Sequence, residues 1–437
     1  MSARSRELFG LLPVSLLVTA GFTAVYISRH SELDSATLTY GAMFLGLCLA
    51  VHLFIRFTLP NADPYLFPLT ALLAAFGLVM IYRIDPDLAR QQAGWFLAGF
   101  GLFAVTIAWL RDVRVLERYR YVIAALGIGL LALPRVPGIR EPVNGAYLSI
   151  HLGPITFQPT ELAKLCIVVF LASYLVERGD MLVIGARRRF GMTLPPLKHF
   201  GPLLVVWGVA MLMLIVIRDL GSSLMFFGAF LALLYVATGR LFFVLSGMVL
   251  FVLGAWFFAE TVGHVGQRID IWLDPWEHAR TSGHQIVQSL FAQADGRLFG
   301  QGFGQALLEL PDGRSILPAP HTDLIYAVIT DELGLFGASA LILVYLLFAQ
   351  RGFRTASMVD DGFSKLLATG LTAVFALQAF VIVGGVTRVI PLTGVTLPFV
   401  SYGGSSIVAN FVLLALLLMV SERARAPRDA PLDGGAG

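Results

Sequence analysis

Several residues in this 437-residue chain combine reactive chemistry with a setting in which charge is costly to keep. Glu161 and Lys164 stand three apart at the start of a long apolar run. That spacing puts both on one helix face, where they can pair. An ionisable group inside such a run costs roughly 2.5–3.5 kcal/mol on insertion scales, so it needs a reason to be there. A structural ion pair and a substrate role both fit. The same two readings stand for Arg218 and Asp219, adjacent between two apolar runs. Asp323 immediately precedes another apolar run and follows His321 and Thr322. Thr322 or Asp323 would make an ordinary helix N-cap, and spacing alone favours that job. A carboxylate at a membrane surface beside a histidine would also suit a general base. Asp331 and Glu332 lie further down the same run, where a polar helix–helix contact is the favoured reading.

Two segments invite a backbone argument. PLTGVTLPFVSYGGSS (391–406) holds two prolines, a Gly-Gly pair and several hydroxyls. It cannot be a regular lipid-facing helix and should be re-entrant or extended, buried in protein or lining a cavity. GQGFG (300–304) resembles a phosphate loop only superficially, because no strand precedes it and no helix follows. Cys48 and Cys166 both sit in apolar runs and read as small buried hydrophobes. No cysteine–histidine spacing or other ligand cluster signals a metal, so no cofactor is evident, although a divalent cation is compatible with the chemistry.

The elements that must position these residues follow from composition. The chain is 57% hydrophobic and 14% charged, with mean hydropathy +0.79. Soluble domains carry about 25% charged residues. The apolar runs are long and continuous rather than alternating, which excludes a barrel and indicates an all-α, polytopic membrane protein. About twelve spans of roughly 20 residues fit the window rule. They lie near 8–27, 37–57, 65–82, 93–110, 120–134, 160–176, 201–217, 220–238, 241–262, 324–349, 364–386 and 402–420. The first run lacks a small-residue cleavage site and reads as a retained helix. Net charge of +3 is too small to suggest nucleic-acid binding.

Lys and Arg cluster in alternate short loops: Arg111 to Arg120, Arg178 to Lys198, Arg240, Arg351 to Lys365, and Arg423 to Arg428. That pattern puts both termini in the cytoplasm. On the opposite side lie 135–159, with little hydrophobic periodicity, and 263–322, the longest connection. A loop of that length is usually functional or disordered. Ile286, Val287, Leu290 and Phe291 argue against disorder and suggest a short amphipathic helix on the outer membrane face. The residues from Ala426 to Gly437 read as a disordered tail.

FQPTELAK (157–164), RDLGSS (218–223), QR…LDP (267–275), Gln288-Ser289, PHTD…DELG (320–334) and the 391–406 segment occur in a telling order. Together they resemble the SEDS family of bacterial cell-wall polymerases, the RodA/FtsW/SpoVE group, across residues 65–425. The resemblance is to an expanded form with two extra N-terminal spans in residues 1–60, followed by the SEDS-like membrane domain in 61–425 and the tail in 426–437. It implies a peptidoglycan glycosyltransferase acting on lipid II, a disaccharide-pentapeptide carried on undecaprenyl pyrophosphate, in elongation or division. Asp323 matches the family's essential aspartate, which moves its reading from cap to catalysis. Arg268 matches a loop arginine. Substrate contacts are expected from Gln158, Glu161, Lys164, Asp219, Arg268, Gln288, Ser289, His321, Thr322 and Ser401. The resemblance implies the bacterial cytoplasmic membrane as location and a class B penicillin-binding transpeptidase as partner. The sequence departs from the family pattern at NGAYLSIHLG (144–153), which has no Arg or Trp, at QADGRLFG (293–300), and at Asp331-Glu332, where the family has two glutamates. A lipid-linked sugar transporter and a catalytically weak scaffold are the competing readings.

Overall fold

A computed structural model describes residues 2–29, 35–136, 140–143, 146–152, 155–184, 187–189, 192–194, 220–261, 263–308 and 315–426. Helices α1 (Ala3–Arg29) and α2 (Ser35–Thr58) form an N-terminal pair. There follow α3 (Leu66–Ile84), α4 (Pro86–Leu110), the single turn α5 (Val115–Arg118), α6 (Arg120–Ala132), α7 (Thr160–Ile184), α8 (Leu220–Thr238) and α9 (Leu241–Thr261). Two short helices, α10 (Gly263–Leu273) and α11 (His284–Gly296), lead to α12 (Ile325–Met358), α13 (Gly362–Val386) and α14 (Gly404–Arg425). Nine helices among the described residues are long and apolar enough to cross a membrane. Of the other expected spans, the fifth is the 13-residue α6 and the sixth is α7, which carries Glu161, Lys164, Glu177 and Arg178. The seventh, and with it Arg218 and Asp219, lies outside the described residues.

Local chemistry explains several boundaries. Asp85 caps α4 by accepting from the Asp87 and Leu88 amides, and Pro86 supplies a preset φ at the first helical position. Asp361 caps α13 through the Ser364 amide at 2.8 Å. Helices in lipid gain little from burying apolar surface and associate instead by close van der Waals packing. Small residues allow this: Gly99 faces the Phe411 ring, and Gly370 faces Val168 and Leu233. The Phe399 and Phe411 rings meet edge to face, 5.3 Å apart. α13 and α14 form the buried centre, while α9 presents Leu245, Val249, Val252 and Trp256 outward.

Two small antiparallel sheets lie where sequence periodicity suggests only loops. β1 (Arg140–Val143), β2 (Ala146–Leu152) and β3 (Ile155–Phe157) pair in that order, with Ile150 opposite Phe157. The sequence of β2 does alternate, with apolar residues at 148, 150 and 152, but over too few residues to stand out. β4 (Arg187–Arg189) and β5 (Met192–Leu194) form a hairpin.

Ion pairs gather at the end of the bundle opposite α10 and α11. Asp63 receives Arg351 and Arg425, each at 2.5 Å. Arg423 bridges Asp112 and Asp361, and Arg120 pairs with Glu177. There the N-terminal pair is also pinned: Arg4 donates to Glu7 and to the Ala62 carbonyl, and Glu7 meets His52 at 2.7 Å.

Candidate active site

The segment between α13 and α14 is irregular, as its prolines and glycines require, and Val395 and Leu397 to Ser401 are buried in it. A non-helical backbone at this depth must find its hydrogen bonds in protein. Donors come from nearly every neighbouring element. Arg268 Nη1 donates to the Leu392 carbonyl at 2.9 Å and Trp272 Nε1 to the Arg388 carbonyl at 3.0 Å. Gln378 Nε2 donates to the Thr396 carbonyl at 2.8 Å, the Tyr345 hydroxyl to the Pro398 carbonyl at 2.6 Å, and Gln92 Nε2 to the Ser401 carbonyl at 3.1 Å. Ser401 ties the segment to the approach of α12: its Oγ accepts from the Leu397 amide and donates to the Thr322 carbonyl at 2.8 Å. The Tyr402 amide donates to the His321 carbonyl at 2.8 Å, and the two rings sit edge to face at 5.8 Å.

Asp323 lies where these ties converge. The N-cap of α12 is Leu324, and no side chain caps it. The job that spacing alone favours for Thr322 or Asp323 is therefore not done by either. The Asp323 carboxylate makes no hydrogen bond among the described residues, and a side chain at Gly394 would stand 3.6 Å from its Oδ2. Gly394 has φ +73°, a conformation a glycine adopts freely, so the segment can pass close beside the carboxylate. Burial pushes the Asp323 carboxyl up to about 6, and the nearby Arg268 charge holds it from rising further. His321 is held below its ordinary value, mainly by burial, which favours the neutral ring.

Glu161 and Lys164 occupy the first turns of α7 and are both buried. Lys164 Nζ donates to Glu161 at 2.5 Å and to Gln378 Oε1 at 2.7 Å. Gln378 carries the link on to Thr396, so this triad reaches the same irregular segment from α7 through α13. The Gln158 amide donates to Ser405 Oγ at 2.8 Å, a second tie between the entry to α7 and the entry to α14. Ser289 Oγ donates to the Val386 carbonyl at 3.1 Å, and Gln293 reaches the same carbonyl at 3.0 Å. Gln288 is half-buried on α11. Asp219 lies outside the described residues, but Gly221, two residues on, packs against Thr393 and Val395.

The expected amphipathic helix is α11, but its apolar face is turned to protein rather than lipid. Ile286 and Val287 are buried, because α12 and the end of α13 offer that face an apolar partner. Phe291 and Trp276 stay exposed, their rings 5.8 Å apart and tilted to one another. The chain then runs across a break in α12 at Gly334, where φ is +65°. A side chain there would collide with the backbone of Leu298 and Gly300. The backbone groups freed by the break are taken up by this loop. Gln301 N donates to the Asp331 carbonyl, Gly302 N to the Glu332 carbonyl, and the Leu335 and Phe336 amides donate to Arg297 and Leu298 carbonyls. Buried Glu332 meets Arg83 of α3 at 3.0 Å and accepts from the Gly304 amide at 2.9 Å. Glu332 is thus the helix–helix contact its position suggests, and GQGFG wraps a carboxylate rather than a phosphate.

One hub, residues 386–405, therefore touches the candidates from α7, α10, α11 and the approach to α12. Sequence reasoning missed Gln92, Gln378, Tyr345 and Trp272, which hold that hub. The available signal was an amide inside an apolar run, at Gln92 and Gln378, costly unless satisfied.

Comparison with known proteins agrees with this geometry. The model of the FtsW/RodA/SpoVE family, described as cell cycle protein, matches residues 64–426. The peptidoglycan glycosyltransferase RodA of Mycobacterium tuberculosis strain H37Rv is 39% identical over 97% of this chain and 92% of its own length. Stage V sporulation protein E of Bacillus subtilis is 32% identical over 84% of this chain and 98% of its own. Among solved structures, one of a peptidoglycan synthase complex that coordinates polymerization and crosslinking superposes with TM-score 0.67, at 26% identity, over 84% of this chain and 99% of that one. The crystal structure of the rod shape determining protein RodA of Thermus thermophilus gives TM-score 0.60 at 25% identity, over 84% of this chain and 98% of that one.

Proposed function

The chain belongs to the FtsW/RodA/SpoVE family of cell cycle proteins, and on that premise we propose that Asp323 is the general base of a peptidoglycan glycosyltransferase that polymerises lipid II. The activity is the one its mycobacterial relative is named for. The protein is a multi-pass protein of the bacterial cytoplasmic membrane. The alternation of Lys/Arg-rich loops supports cytoplasmic termini, with Asp323 on the outer side.

One observation carries the catalytic reading: a half-buried carboxylate neither caps its helix nor makes a hydrogen bond among the described residues, and it is pushed up to about 6. A base with that value is mostly ionised at neutral pH yet strong enough to take a proton in the transition state. Asp323 removes the proton from the 4-hydroxyl of the acceptor sugar. The hydroxyl oxygen forms a bond to the anomeric carbon of the donor, with inversion, as the bond from that carbon to pyrophosphate oxygen breaks. The electron pair leaves with undecaprenyl pyrophosphate, and Asp323 returns its proton to water. General-base help of this kind contributes about 10²–10⁴-fold.

Arg268 is suited to the leaving pyrophosphate because its charge already acts on the Asp323 carboxylate, and charge-assisted hydrogen bonds are strongest where charge develops. Glu161, Lys164, Ser289 and Ser401 act through the hub that passes beside Asp323, so they position the base and the substrate path. The solved complex that couples polymerization to crosslinking supports a class B penicillin-binding transpeptidase as partner.

The test is purified protein, alone and with its transpeptidase, given labelled lipid II and resolved on a gel. A ladder of glycan strands from wild type, and none from a well-folded Asp323→Ala protein, is the expected result. A ladder from Asp323→Ala would remove the base assignment. No ladder from wild type under any partner condition would favour lipid-linked sugar transport, measured next by flipping in liposomes.

A further inference from the structure

The hairpin between α4 and α6 sits at the end of the bundle opposite Asp323 and takes no part in the chemistry above. Its surface forms an open depression of about 400 Å³ lined by Arg114, Glu117, Arg118, Arg120 and Tyr121. Three guanidiniums against one carboxylate leave this lining net positive. Arg114 is partly neutralised by Asp112 at 2.9 Å, and Arg120 by Glu177. Arg118 is exposed and makes no ion pair among the described residues, its guanidinium standing 5.9 Å from the Tyr119 ring.

Tyr121 in the lining and the exposed aromatics of the flanking helix ends fix the depth of this site. Trp109 at the end of α4 is 84% exposed, and Tyr119 and Tyr121 at the start of α6 are 50% and 61% exposed. Amphipathic rings left outward at helix ends are the mark of the membrane–water interface. Arg120 lies 5.1 Å from the Tyr121 ring, so the cations and the aromatic belt occupy one level. A cationic depression at headgroup depth, on the stretch that joins α4 to α6, is complementary to a phosphate that is itself tethered at that depth. A soluble anion would gain the charge contact but not the aromatic flanks.

We propose that this depression binds the phosphodiester headgroup of an anionic phospholipid of the inner leaflet. Arg118 and Arg114 contact the phosphate oxygens, Trp109, Tyr119 and Tyr121 pack along the glycerol and upper acyl carbons, and Glu117 limits the net charge. The leaflet assignment rests on the proposed orientation, while the headgroup site itself does not depend on the glycosyltransferase reading.

The experiment is native mass spectrometry of the full chain in detergent, titrated with phosphatidylglycerol or phosphatidylcholine. Wild type should retain phosphatidylglycerol adducts preferentially. The double variant Arg114→Gln/Arg118→Gln should lose about 30-fold in that affinity, from two basic contacts at a membrane surface. Glu117→Gln should strengthen it. Arg354→Gln/Lys365→Gln, which neutralises exposed charges where α12 ends and α13 begins on the same side, should leave it unchanged. Soluble glycerophosphate in excess should not displace the lipid. Equal loss in both double variants would mean general attraction to a basic surface and would overturn the proposal, as would absence of any phosphatidylglycerol preference or displacement by glycerophosphate. The readout is adduct mass, so it stands or falls apart from polymerase activity.

Discussion

If Asp323 is the base, polymerisation must fall as that carboxylate takes up a proton, and its environment says where. An ordinary aspartate with pKa 3.8 would be about nine-tenths ionised at pH 5. At about 6, where burial places Asp323, the ionised fraction at pH 5 is about one-tenth. The sign is fixed by the role: the deprotonated form works, so rate rises with pH through the limb and levels off above it. Initial rates at low lipid II concentration report groups of the free enzyme, and the disubstituted pyrophosphate of the substrate has no proton to lose in this range. The rate at pH 5 should therefore be about a tenth of that at pH 7.5. Arg268→Gln removes the charge that opposes the rise, so its limb should move to higher pH. A rate that stays level from pH 7.5 down to 5 would refute a buried Asp323 as base. So would a limb that shifts downward in Arg268→Gln.

Two further outcomes test the scaffold. Lys164→Met leaves Glu161 buried without its cation, which should cost about 3–5 kcal/mol in detergent melting, whereas Glu161→Gln/Lys164→Met should recover most of that loss; equal damage in both would mean that the pair matters for more than charge balance. Arg83→Ala leaves Glu332 buried with backbone donors but no cation and should loosen residues 297–306, visible as faster proteolytic nicking of that loop with the bundle intact; unchanged nicking would show that the break at Gly334 holds the loop unaided.

How much of this was legible before the structure depended on what enforced each feature. The helices were legible because lipid as solvent leaves a chain few options, and a run such as 364–386 announces itself. The irregular character of 391–406 was legible for the same reason. The short sheet at 140–157 was not, because a seven-residue strand alternates too briefly to outweigh the Pro and Gly around it. α11 was legible as an amphipathic helix, but amphipathicity does not say whether the apolar face meets lipid or protein. Glu161 and Lys164 were legible as a pair from their spacing, yet Gln378, which joins Lys164 and Thr396, lies 214 positions from Lys164. Pairwise spacing cannot see a partner supplied by another helix.

Asp323 stands at a capping position yet caps nothing. Capping is common because the first amides of a helix lack partners and water or a side chain must serve them. Here the approach to α12 is instead held by turns and by the segment after α13: the Thr322 amide bonds Ala319, the Thr322 carbonyl takes Ser401 Oγ, and the His321 carbonyl takes the Tyr402 amide. These bonds fix the backbone that enters α12, although they serve the Thr322 amide and two carbonyls rather than the first amides of the helix, which no side chain caps. A carboxylate used as a cap would be stabilised in its ionised form by amide donors and its pKa would fall, making it a poor base near neutral pH. The irregular segment at 387–403, tied down by side chains from several helices, thus bears directly on chemistry: it braces the backbone beside Asp323 and makes no hydrogen bond to the carboxylate among the described residues.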